Sequence, residues 1–354
     1  MTRILHVIEG IQESCGISRF VVETVRELQY LGQNAAIVTT KNWNVPADDL
    51  KIYQTMTPED AANHFQPQVI HINGCWNNYV HRMAKWCRSN HVPYILSPHG
   101  AWTQWAMNFR AWKKRVAWWL FQKADASGAS GFHVTVTSET SDVRRLGFSQ
   151  PVTVAPLGIR ISEKMGGNPP MVSRNKVLLY LGRLHRKKNI HGLIAVWKGL
   201  PRDMRSDWKL VIAGKTGPDN PEYLTQLQEL ADGDCQFVGE VTGISKDMLY
   251  CQARLCILPS FSENFGVVVL EALASGTPVI ATTGTPWAAL KENNCGWWVE
   301  PTEADLLQAL SIAMSLPDAR LQEMSQSARS YVEANFSWRK STERLLEAYE
   351  QLKH

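Results

Sequence analysis

Short apolar runs alternate with segments of helical spacing along the first half of the chain. The helical pattern is clearest in SRFVVETVRELQYLG, which ends at Gly32. The apolar runs end in small or polar residues, and they are RILHVI, NAAIVTT, PQVIHING, VPYILSPHG, FHVTVTSE and VTVAPLGIR. Continuous apolar runs are typical of strands buried on both faces, so the pattern predicts a parallel sheet built from βα units.

The same alternation restarts after a stretch rich in Pro and Gly, EKMGGNPPMVSRN, which is typical of a linker. The strand-like runs of this second half are KVLLYLGRL, WKLVIAGK, ARLCILPS and TPVIAT. The helical segments between them are NIHGLIAVWKGL, PEYLTQLQEL and VVVLEALASG. The tail, SWRKSTERLLEAYEQLKH, predicts an amphipathic helix with Ser337 as its N-cap.

Two such series in 354 residues predict an α/β protein with two Rossmann-like domains. We place the domains at residues 1–160 and 161–335, and the amphipathic C-terminal helix at 336–354. Open parallel sheets bind ligands at the carboxyl ends of their strands. The expected ligand site is therefore a cleft between the two sheets.

The composition changes this picture little. Hydrophobic residues make up 44% and charged residues 20% of the chain, as in soluble globular proteins, and no apolar run is long enough to span a membrane. The start, MTRILHVIEG, turns polar too early for a secretory signal. The seven cysteines are scattered and are expected to be reduced thiols in a cytoplasmic protein. A net charge of +4 is too small to indicate nucleic acid by itself.

The stretch SENFGVVVLEALASGTPVI places a carboxylate on each side of a helix start. Glu263 follows a predicted strand at its carboxyl end, and Glu271 lies inside the predicted helix. The first helical N–H groups and the helix dipole favour an anion between them, and Gly266 allows close approach of the backbone. A sugar–diphosphate–ribose molecule has the matching order of groups. A capped helix with two solvated glutamates is also compatible with the pattern.

A basic loop, YLGRLHRKKN, supplies cations to the same sheet. Arg183 comes just after a strand end and Lys188 comes at a helix start. Cations at these positions suit a diphosphate, which Arg can bind through two parallel hydrogen bonds. The alternative is a solvated basic loop, and Arg186 and Lys187 receive no other role.

Taken together, these motifs resemble glycosyltransferase family 4, whose members are retaining sugar transferases with the GT-B fold. The resemblance rests on Gly182-Arg183-Leu184 with Lys188, on the pair Glu263 and Glu271, and on EALASGTPVIAT, in the family's order. It implies two Rossmann-like domains facing each other across a cleft. The N-terminal domain would bind the acceptor and the C-terminal domain a nucleotide sugar. The last helix would cross back to the N-terminal domain.

The resemblance also implies roles for individual residues. Glu263 and the backbone amides after it would hold hydroxyls of the donor sugar, and Glu271 would hold the ribose. Arg183 and Lys188 would clamp the diphosphate, and the base would lie near Gly214, Lys215 and Val238. The donor-binding residues implied are Gly16, Gly214, Lys215, Val238, Glu263, Asn264, Phe265, Gly266, Val267 and Glu271, and the catalytic ones are Glu263, His99, Arg183 and Lys188.

The N-terminal half carries the weaker part of the match. ESCGISRFV resembles a glycine loop that opens a helix near the donor phosphate; only Gly16 carries over, because Cys15 stands at the other glycine position. SPHGAW places His99 at a strand end, where the family has a histidine in contact with donor sugar and phosphate. PLGIR matches the family's interdomain turn only partly, since Leu157 and Arg160 replace its Asn and its acid.

For retaining family members the implied reaction is front-face transfer of the sugar to an acceptor hydroxyl, assisted by the departing diphosphate. Arg183, Lys188 and the helix N-terminus would stabilise the leaving phosphate, while Glu263 and His99 orient the sugar. The donor would be a UDP- or GDP-hexose. The acceptor would be a glycan or lipid-linked hydroxyl, and the setting would be assembly of cell-surface polysaccharide.

No cofactor and no metal are expected. The pair Asp232 and Asp234 in DGD resembles the metal-binding acids of other sugar transferases. Because this pair lies in a predicted loop before CQFVG, we interpret it as solvated surface.

Residues 102–123 form the least usual segment, WTQWAMNFRAWKKRVAWWLFQK. Its apolar positions Trp105, Phe109, Trp112, Val116 and Trp119 recur at helical spacing, interrupted by Arg110, Lys113, Lys114 and Arg115. Such a helix can lie on an anionic bilayer, here the inner face of the cytoplasmic membrane, or can pack its stripe on its own domain. Both interpretations remain open. No nucleic-acid motif accompanies the basic residues, so nucleic acid is not an expected partner.

Two other functions fit the same architecture. A sugar-nucleotide 2-epimerase can share the two domains, although the set of Glu263, Glu271, Arg183 and Lys188 favours a transferase. A protein that binds a sugar nucleotide without catalysis is the alternative outside the enzymes, and the intact charged set makes it less favoured.

Overall fold

The computed structural model describes residues 1–12, 15–43, 49–109, 111–160, 169–217 and 220–352. The chain divides into two compact units, Met1–Gly158 with Phe336–His354, and Ile159–Asn335. The division falls at Gly158 and Asn335, close to the domain ends expected at residues 160 and 335. The start of the predicted linker, residues 163–168, lies outside the described residues.

The first unit is built on buried apolar strands, as the sequence pattern predicts. Its described strands are β1 (Arg3–Val7), β2 (Gly10–Gln12), β3 (Asn34–Val38), β4 (Lys41–Trp43), β5 (Ile52–Tyr53), β6 (Val69–Asn73), β7 (Tyr94–Ser97), β8 (Gly131–Val134) and β9 (Val152–Val154). Within the described residues, seven of them form a parallel sheet in the order β5-β3-β1-β6-β7-β8-β9, and β2 pairs with β4. Ile4 pairs with Ala35 on one side and with Val69 on the other, which fixes the register of the central strand.

Helices connect these strands and cover the sheet. They are α1 (Gly16–Tyr30), α2 (Pro58–Phe65), α3 (Asn78–Ser89), α4 (Gln104–Asn108), α5 (Ala111–Ala117), α6 (Lys123–Ser127) and α7 (Thr137–Arg145), with a π-helical turn at Trp118–Gln122. The side chains of Thr57 and Asn77 cap α2 and α3 by accepting hydrogen bonds from the amides of Asp60 and Val80. Helix α1 buries one apolar face, which includes Phe20 and Val25.

The second unit repeats the architecture. Its described strands are β10 (Asn175–Leu181), β11 (Lys209–Ala213), β12 (Cys235–Gly239), β13 (Ala253–Leu258), β14 (Val279–Thr282) and β15 (Gly296–Val299). In the described part of this unit they form a parallel sheet in the order β12-β11-β10-β13-β14-β15. The helices are α8 (Ile190–Gly199), α9 (Arg202–Arg205), α10 (Tyr223–Leu230), α11 (Gly243–Gln252), α12 (Val267–Ala274), α13 (Ala289–Glu292), α14 (Glu303–Ser315) and α15 (Asp318–Asn335). The prediction of two parallel α/β sheets is confirmed.

The last helix, α16 (Trp338–Gln351), belongs to the first unit, as expected for a helix that crosses back. The hydroxyl of Ser337 accepts a hydrogen bond from the amide of Lys340, so the predicted N-cap is present. Ser341 donates to the carbonyl of Pro156 at 2.6 Å. Tyr349, near the other end of the helix, is fully buried in the first unit.

The tryptophan-rich segment is not the single helix that its spacing indicates. Helix α4 ends at Asn108, and Phe109 adopts an extended conformation with ψ 119° before α5 begins at Ala111. The five stripe residues, Trp105, Phe109, Trp112, Val116 and Trp119, are all exposed. The interpretation that this stripe packs on its own domain is therefore wrong. Arg110 lies outside the described residues.

Candidate functional site

Glu263 lies in the loop that joins β13 to α12, at the carboxyl edge of the second sheet. The amide of Glu263 donates to the carbonyl of Gly284 at 2.7 Å, which fixes the backbone of the loop. Its side chain is 11% exposed; one carboxylate oxygen, Oε1, accepts a hydrogen bond from Ser260 Oγ at 2.7 Å and forms an ion pair with Lys188. The structure thus brings together Lys188 and Glu263, whose sequence positions are far apart.

Arg183 belongs to the same cluster of charges. It follows β10, its side chain is exposed, and no described residue forms an ion pair or hydrogen bond with its guanidinium group. The buried hydroxyl of Tyr180 donates to the carbonyl of Arg183 at 3.0 Å. Burial, and then the negative charge of Glu263, raise the pKa of Tyr180 well above its usual value, while the charge of Arg183 opposes this rise. Glu263 and Arg183 therefore act on one buried hydroxyl.

The pKa of Lys187 is also affected by the neighbouring charged residues. Burial lowers the pKa of its ammonium group below the usual value, and the negative charge of Glu263 opposes this change. The positive charges of Lys188 and Arg183 lower the pKa further. The three predicted residues Arg183, Lys188 and Glu263 therefore all act on the charge of Lys187.

The loop backbone before α12 is held by packing. Gly266, the residue before the helix, has φ 77°, a conformation that glycine adopts without strain. A Cβ at this position would lie 3.2 Å from both Leu258 and the indole nitrogen of Trp287. That nitrogen donates to the carbonyl of Phe265 at 2.5 Å. In the first turn the amide of Val269 donates to the carbonyl of Gly266 at 2.9 Å. The amides of Val267 and Val268 before it are a favourable place for an anion.

Glu271 lies farther along α12 and is 8% exposed. Lys246 Nζ lies 2.7 Å from its Oε1, and the hydroxyl of Tyr250 donates to its Oε2 at 3.0 Å. Both partners lie on α11, one turn apart. The sequence analysis missed Lys246 and Tyr250, although a spacing of four residues places two side chains on one face of a helix.

The residues predicted to lie near the base occupy the ends of β11 and β12. The amide of Gly214 donates to the carbonyl of Gly239 at 2.7 Å. A Cβ on Gly214 would stand 1.9 Å from the carbonyl oxygen of Gly182, so only glycine permits this approach of the two strand ends. Lys215 forms an exposed ion pair with Glu240 at 2.5 Å, and Val238 on the edge strand is also exposed.

Gly16 and His99 belong to the first unit. Gly16 is the first residue of α1, and Phe20, one turn later, places its ring centroid 5.4 Å from that of His99. His99 follows β7 and has φ 48°. The amide of Gly100 donates to Glu139 Oε1 at 2.7 Å, so a carboxylate on α7 fixes the turn. Within this unit the start of α1 and the His99 loop therefore lie at the same sheet edge.

The hydrogen bonds of Asn73 determine the tautomer of His99. The amide nitrogen of Asn73 faces the carbonyls of His71 at 3.1 Å and Val7 at 3.3 Å, so its oxygen faces His99 Nε2 at 3.2 Å. His99 therefore carries its proton on Nε2 and presents Nδ1 as an acceptor. Burial, followed by the charges of His133 and His6, lowers the pKa of His99 to about 3. His99 is a neutral polar group at physiological pH.

The acid pair that resembles a metal motif is part of an ion-pair cluster. Arg205, which is buried, lies 2.7 Å from Asp234 and 3.3 Å from Asp232, so the two carboxylates are not simply solvated surface. Among the residues that the structure describes, no group of three or more His, Cys, Asp or Glu side chains is arranged to hold a metal ion. In the same residues, no helix has the length and apolar character needed to cross a bilayer.

Two domain families match the chain. The glycosyl transferase 4-like domain matches residues 49–158, and glycosyl transferases group 1 matches residues 167–331. O-antigen chain mannosyltransferase B from Escherichia coli is 32% identical over 177 residues, which are 49% of this chain and 45% of that protein. The alpha-1,3/1,6-mannosyltransferase alg-2 from Neurospora crassa is 23% identical over 366 residues, 92% of this chain and 71% of that one. The chain spans less than half of the length of several curated relatives that it matches.

Solved structures resemble the whole chain. Sucrose-phosphate synthase from Thermosynechococcus elongatus has a TM-score of 0.78 at 20% identity, with 99% of each chain covered. HepE from Anabaena, in complex with UDP and glucose, has a TM-score of 0.80 at 14% identity, with 99% of this chain and 100% of that chain covered. The two parallel sheets and these neighbours define a protein of the two-domain GT-B fold. With both domain families matched, the chain belongs to the group 1 glycosyltransferases of the family 4 type.

Proposed function

We propose that this protein transfers a hexose from a UDP- or GDP-sugar to a hydroxyl of a glycan or lipid-linked acceptor, with retention of anomeric configuration and without a metal ion. The observation that supports this proposal is the charge arrangement at the edge of the second sheet. Lys188 and Glu263 are paired there beside the exposed Arg183, and α12 starts between Glu263 and Glu271. This is the order of charges that a nucleotide-diphosphate sugar requires.

Each group has a task in such a transfer. Glu263 accepts hydrogen bonds from sugar hydroxyls and is kept in place by Ser260 and Lys188. The charges of Arg183 and Lys188 and the first amides of α12 stabilise the negative charge that develops on the departing diphosphate. Glu271, which is held by Lys246 and Tyr250, accepts a hydrogen bond from a ribose hydroxyl.

The first unit is proposed to bind the acceptor, and its neutral His99 to orient the donor sugar through Nδ1. The relatives support the choice of substrates. The HepE structure contains UDP and glucose, and one relative is an O-antigen chain mannosyltransferase. A cytoplasmic enzyme of cell-surface polysaccharide assembly fits both.

The test is a thermal-shift panel of nucleotides and nucleotide sugars, followed by incubation of each stabilising donor with glycan and lipid-linked acceptors in the presence of a chelator. We expect UDP or GDP to raise the melting temperature by linkage, and we expect a product whose anomeric configuration, measured by NMR, is that of the donor. Conversion of the donor without acceptor would identify an epimerase instead. A donor that binds but never reacts with any acceptor would identify a binding protein.

A further inference from the structure

Six large apolar side chains of the first unit are exposed along one short segment. They are Trp105, Phe109, Trp112, Val116, Trp119 and Leu120, and we call them the aromatic patch. Trp112 is 69%, Trp119 74% and Leu120 75% exposed. Isolated exposed apolar residues are normal on a protein surface, whereas a contiguous group of aromatic rings marks a site of interaction.

The backbone of this segment exposes the aromatic patch on the surface, while neighbouring side chains anchor the segment to the unit. The π-helical turn Trp118–Gln122 is wider than an α-helical turn and lies between α5 and α6. Trp118 points into the unit, where its ring lies 6.2 Å from those of Trp76 and Trp102. Gln122 is buried and accepts a hydrogen bond from the amide of Trp76 at 2.8 Å. The neighbours Trp119 and Leu120 are exposed next to these two anchored residues.

The segment that carries the patch contains several cations and no acid. The sequence from Gly100 to Ala124 contains no Asp or Glu, and its cations are Arg110, Lys113, Lys114, Arg115 and Lys123. The ammonium group of Lys123 lies 4.7 Å from the ring centroid of Trp119, and that of Lys113 lies 5.4 Å from the ring centroid of Trp112. The next acid, Asp125, is buried and is paired with His81 and Arg88. The field over the aromatic patch is therefore positive.

We propose that the aromatic patch docks the protein on a lipid bilayer that contains anionic lipids. Tryptophan and phenylalanine rings partition into the headgroup region of a bilayer, and each nearby cation adds attraction to anionic lipid. A second copy of this chain is a poorer occupant, because a symmetric interface would bring two cationic patches together. The docking surface is separate from the donor site in the second unit and does not depend on the proposed transfer reaction.

The experiment is flotation of the purified protein with vesicles of phosphatidylcholine alone or with phosphatidylglycerol added. We expect binding to the anionic vesicles, and we expect high salt to weaken it. The double variant Trp119→Ala with Leu120→Ala should bind about a hundredfold more weakly, about tenfold for each apolar side chain removed from the interface. The matched control, Val172→Ala with Ile244→Ala, removes two equally exposed apolar side chains from the second unit and should bind like the unchanged protein.

Equal binding by both double variants, or no flotation of the unchanged protein with anionic vesicles, would overturn the proposal. So would a lipid-free dimer of the unchanged protein in sedimentation that the Trp119→Ala, Leu120→Ala variant does not form, because the patch would then be an interface between copies. The thermal shift with UDP or GDP should be the same in all variants. A failure of docking is thereby distinguishable from a failure of the proposed donor binding.

Discussion

The two cations predicted to hold the diphosphate differ in what they already contact. Lys188 is paired with Glu263, and its charge is partly compensated before any ligand binds. The exposed Arg183 has no ion-pair or hydrogen-bond partner for its guanidinium group in the described part of the chain. Arg183 is therefore the group that can give its whole charge and two parallel hydrogen bonds to a leaving phosphate.

We predict that Arg183→Ala lowers kcat by roughly 10²–10³, the scale for loss of one preorganised donor at a developing charge. Steady-state kinetics with saturating donor measures this. The control is Arg186→Ala, which removes a nearby arginine whose guanidinium group lies over the ring of Tyr223 and bonds to Gln226. The control should retain most activity. Near-normal turnover of the Arg183 variant would contradict the assignment.

The contacts of Glu271 lead to a second prediction at the scale of residues. Lys246→Met removes the cation beside a carboxylate that is 8% exposed. Because the ribose does not react, weaker binding there affects ground state and transition state alike. We expect the donor KM to rise about tenfold with kcat little changed, a loss of roughly 1.4 kcal/mol. A fall in kcat at unchanged KM would place Lys246 at the reacting centre instead.

At the scale of elements, α7 stabilises the His99 loop through one buried carboxylate. Glu139 accepts hydrogen bonds from the amide of Gly100 at 2.7 Å and from the amide and hydroxyl of Thr135, both at 2.9 Å. An amide side chain cannot accept all three, because its NH₂ group is a donor. We predict that Glu139→Gln lowers the free energy of unfolding by about 2 kcal/mol, the scale for one hydrogen bond to a charged group.

Chemical denaturation measures this change, and Glu229→Gln, on the exposed side of α10, is the control. The Glu139 variant should also lose turnover, since the turn that carries His99 loosens. Replacement of Glu139 by Asp should restore part of both properties, because the carboxylate is kept. An unfolding free energy equal to that of the control would show that the three hydrogen bonds contribute nothing.

The sequence predicts most strands of this fold because their apolar runs are long and the sheets are buried on both faces. Short strands such as β5 (Ile52–Tyr53) have too few residues for any periodicity. The break at Phe109 is not predictable either, since no Gly or Pro marks it and the apolar spacing continues across it. The sequence pattern shows which residues are apolar. It does not show that the aromatic patch is exposed, because exposure depends on which surfaces the rest of the unit covers.

For the candidate site, too, the sequence predicts some features and not others. The order of the motifs in the sequence assigns Glu263, Glu271, Arg183 and Lys188 to one donor site. These assignments stay predictions. Partners such as Lys246 lie on other elements, where only the folded backbone brings them near. The ion pair between Lys188 and Glu263 spans 75 positions, a separation over which local sequence carries no information on contact.

At the scale of the whole molecule, a chain of buried polar groups links the last helix to the first sheet. Tyr349 on α16 bonds to His71 at 2.5 Å, His71 to Ser97 at 2.5 Å, and Ser97 to His133 at 2.7 Å. His133 donates to the carbonyl of Ala155 at 2.9 Å. His6 lies 3.3 Å from the same tyrosine hydroxyl. The first unit thus depends on histidines that remain neutral.

This network predicts that the first unit loses stability in acid. Burial, and the charge of His133, lower the pKa of His6 from 6.5 to about 3; burial lowers that of His133 to about 4, and that of His71 also lies well below its usual value. The unfolded chain takes up these protons below its pKa of 6.5, while the folded unit does not. The stabilisation is therefore complete above that pH and is lost as the pH falls, by about 2 kcal/mol near pH 5 for each histidine that stays neutral.

Hydrogen exchange, followed by mass spectrometry at about pH 7.5 and pH 5 and corrected for intrinsic rates, separates the two units. Peptides of β1, β6, β8 and α16 should lose protection in acid, while peptides of the second sheet keep theirs. The variant His6→Gln should show a weaker pH dependence because it removes one titrating group from the network. His191→Gln, which changes an exposed histidine of the second unit, should behave like the unchanged protein. Equal loss of protection in both units would show that the histidine network does not control acid unfolding.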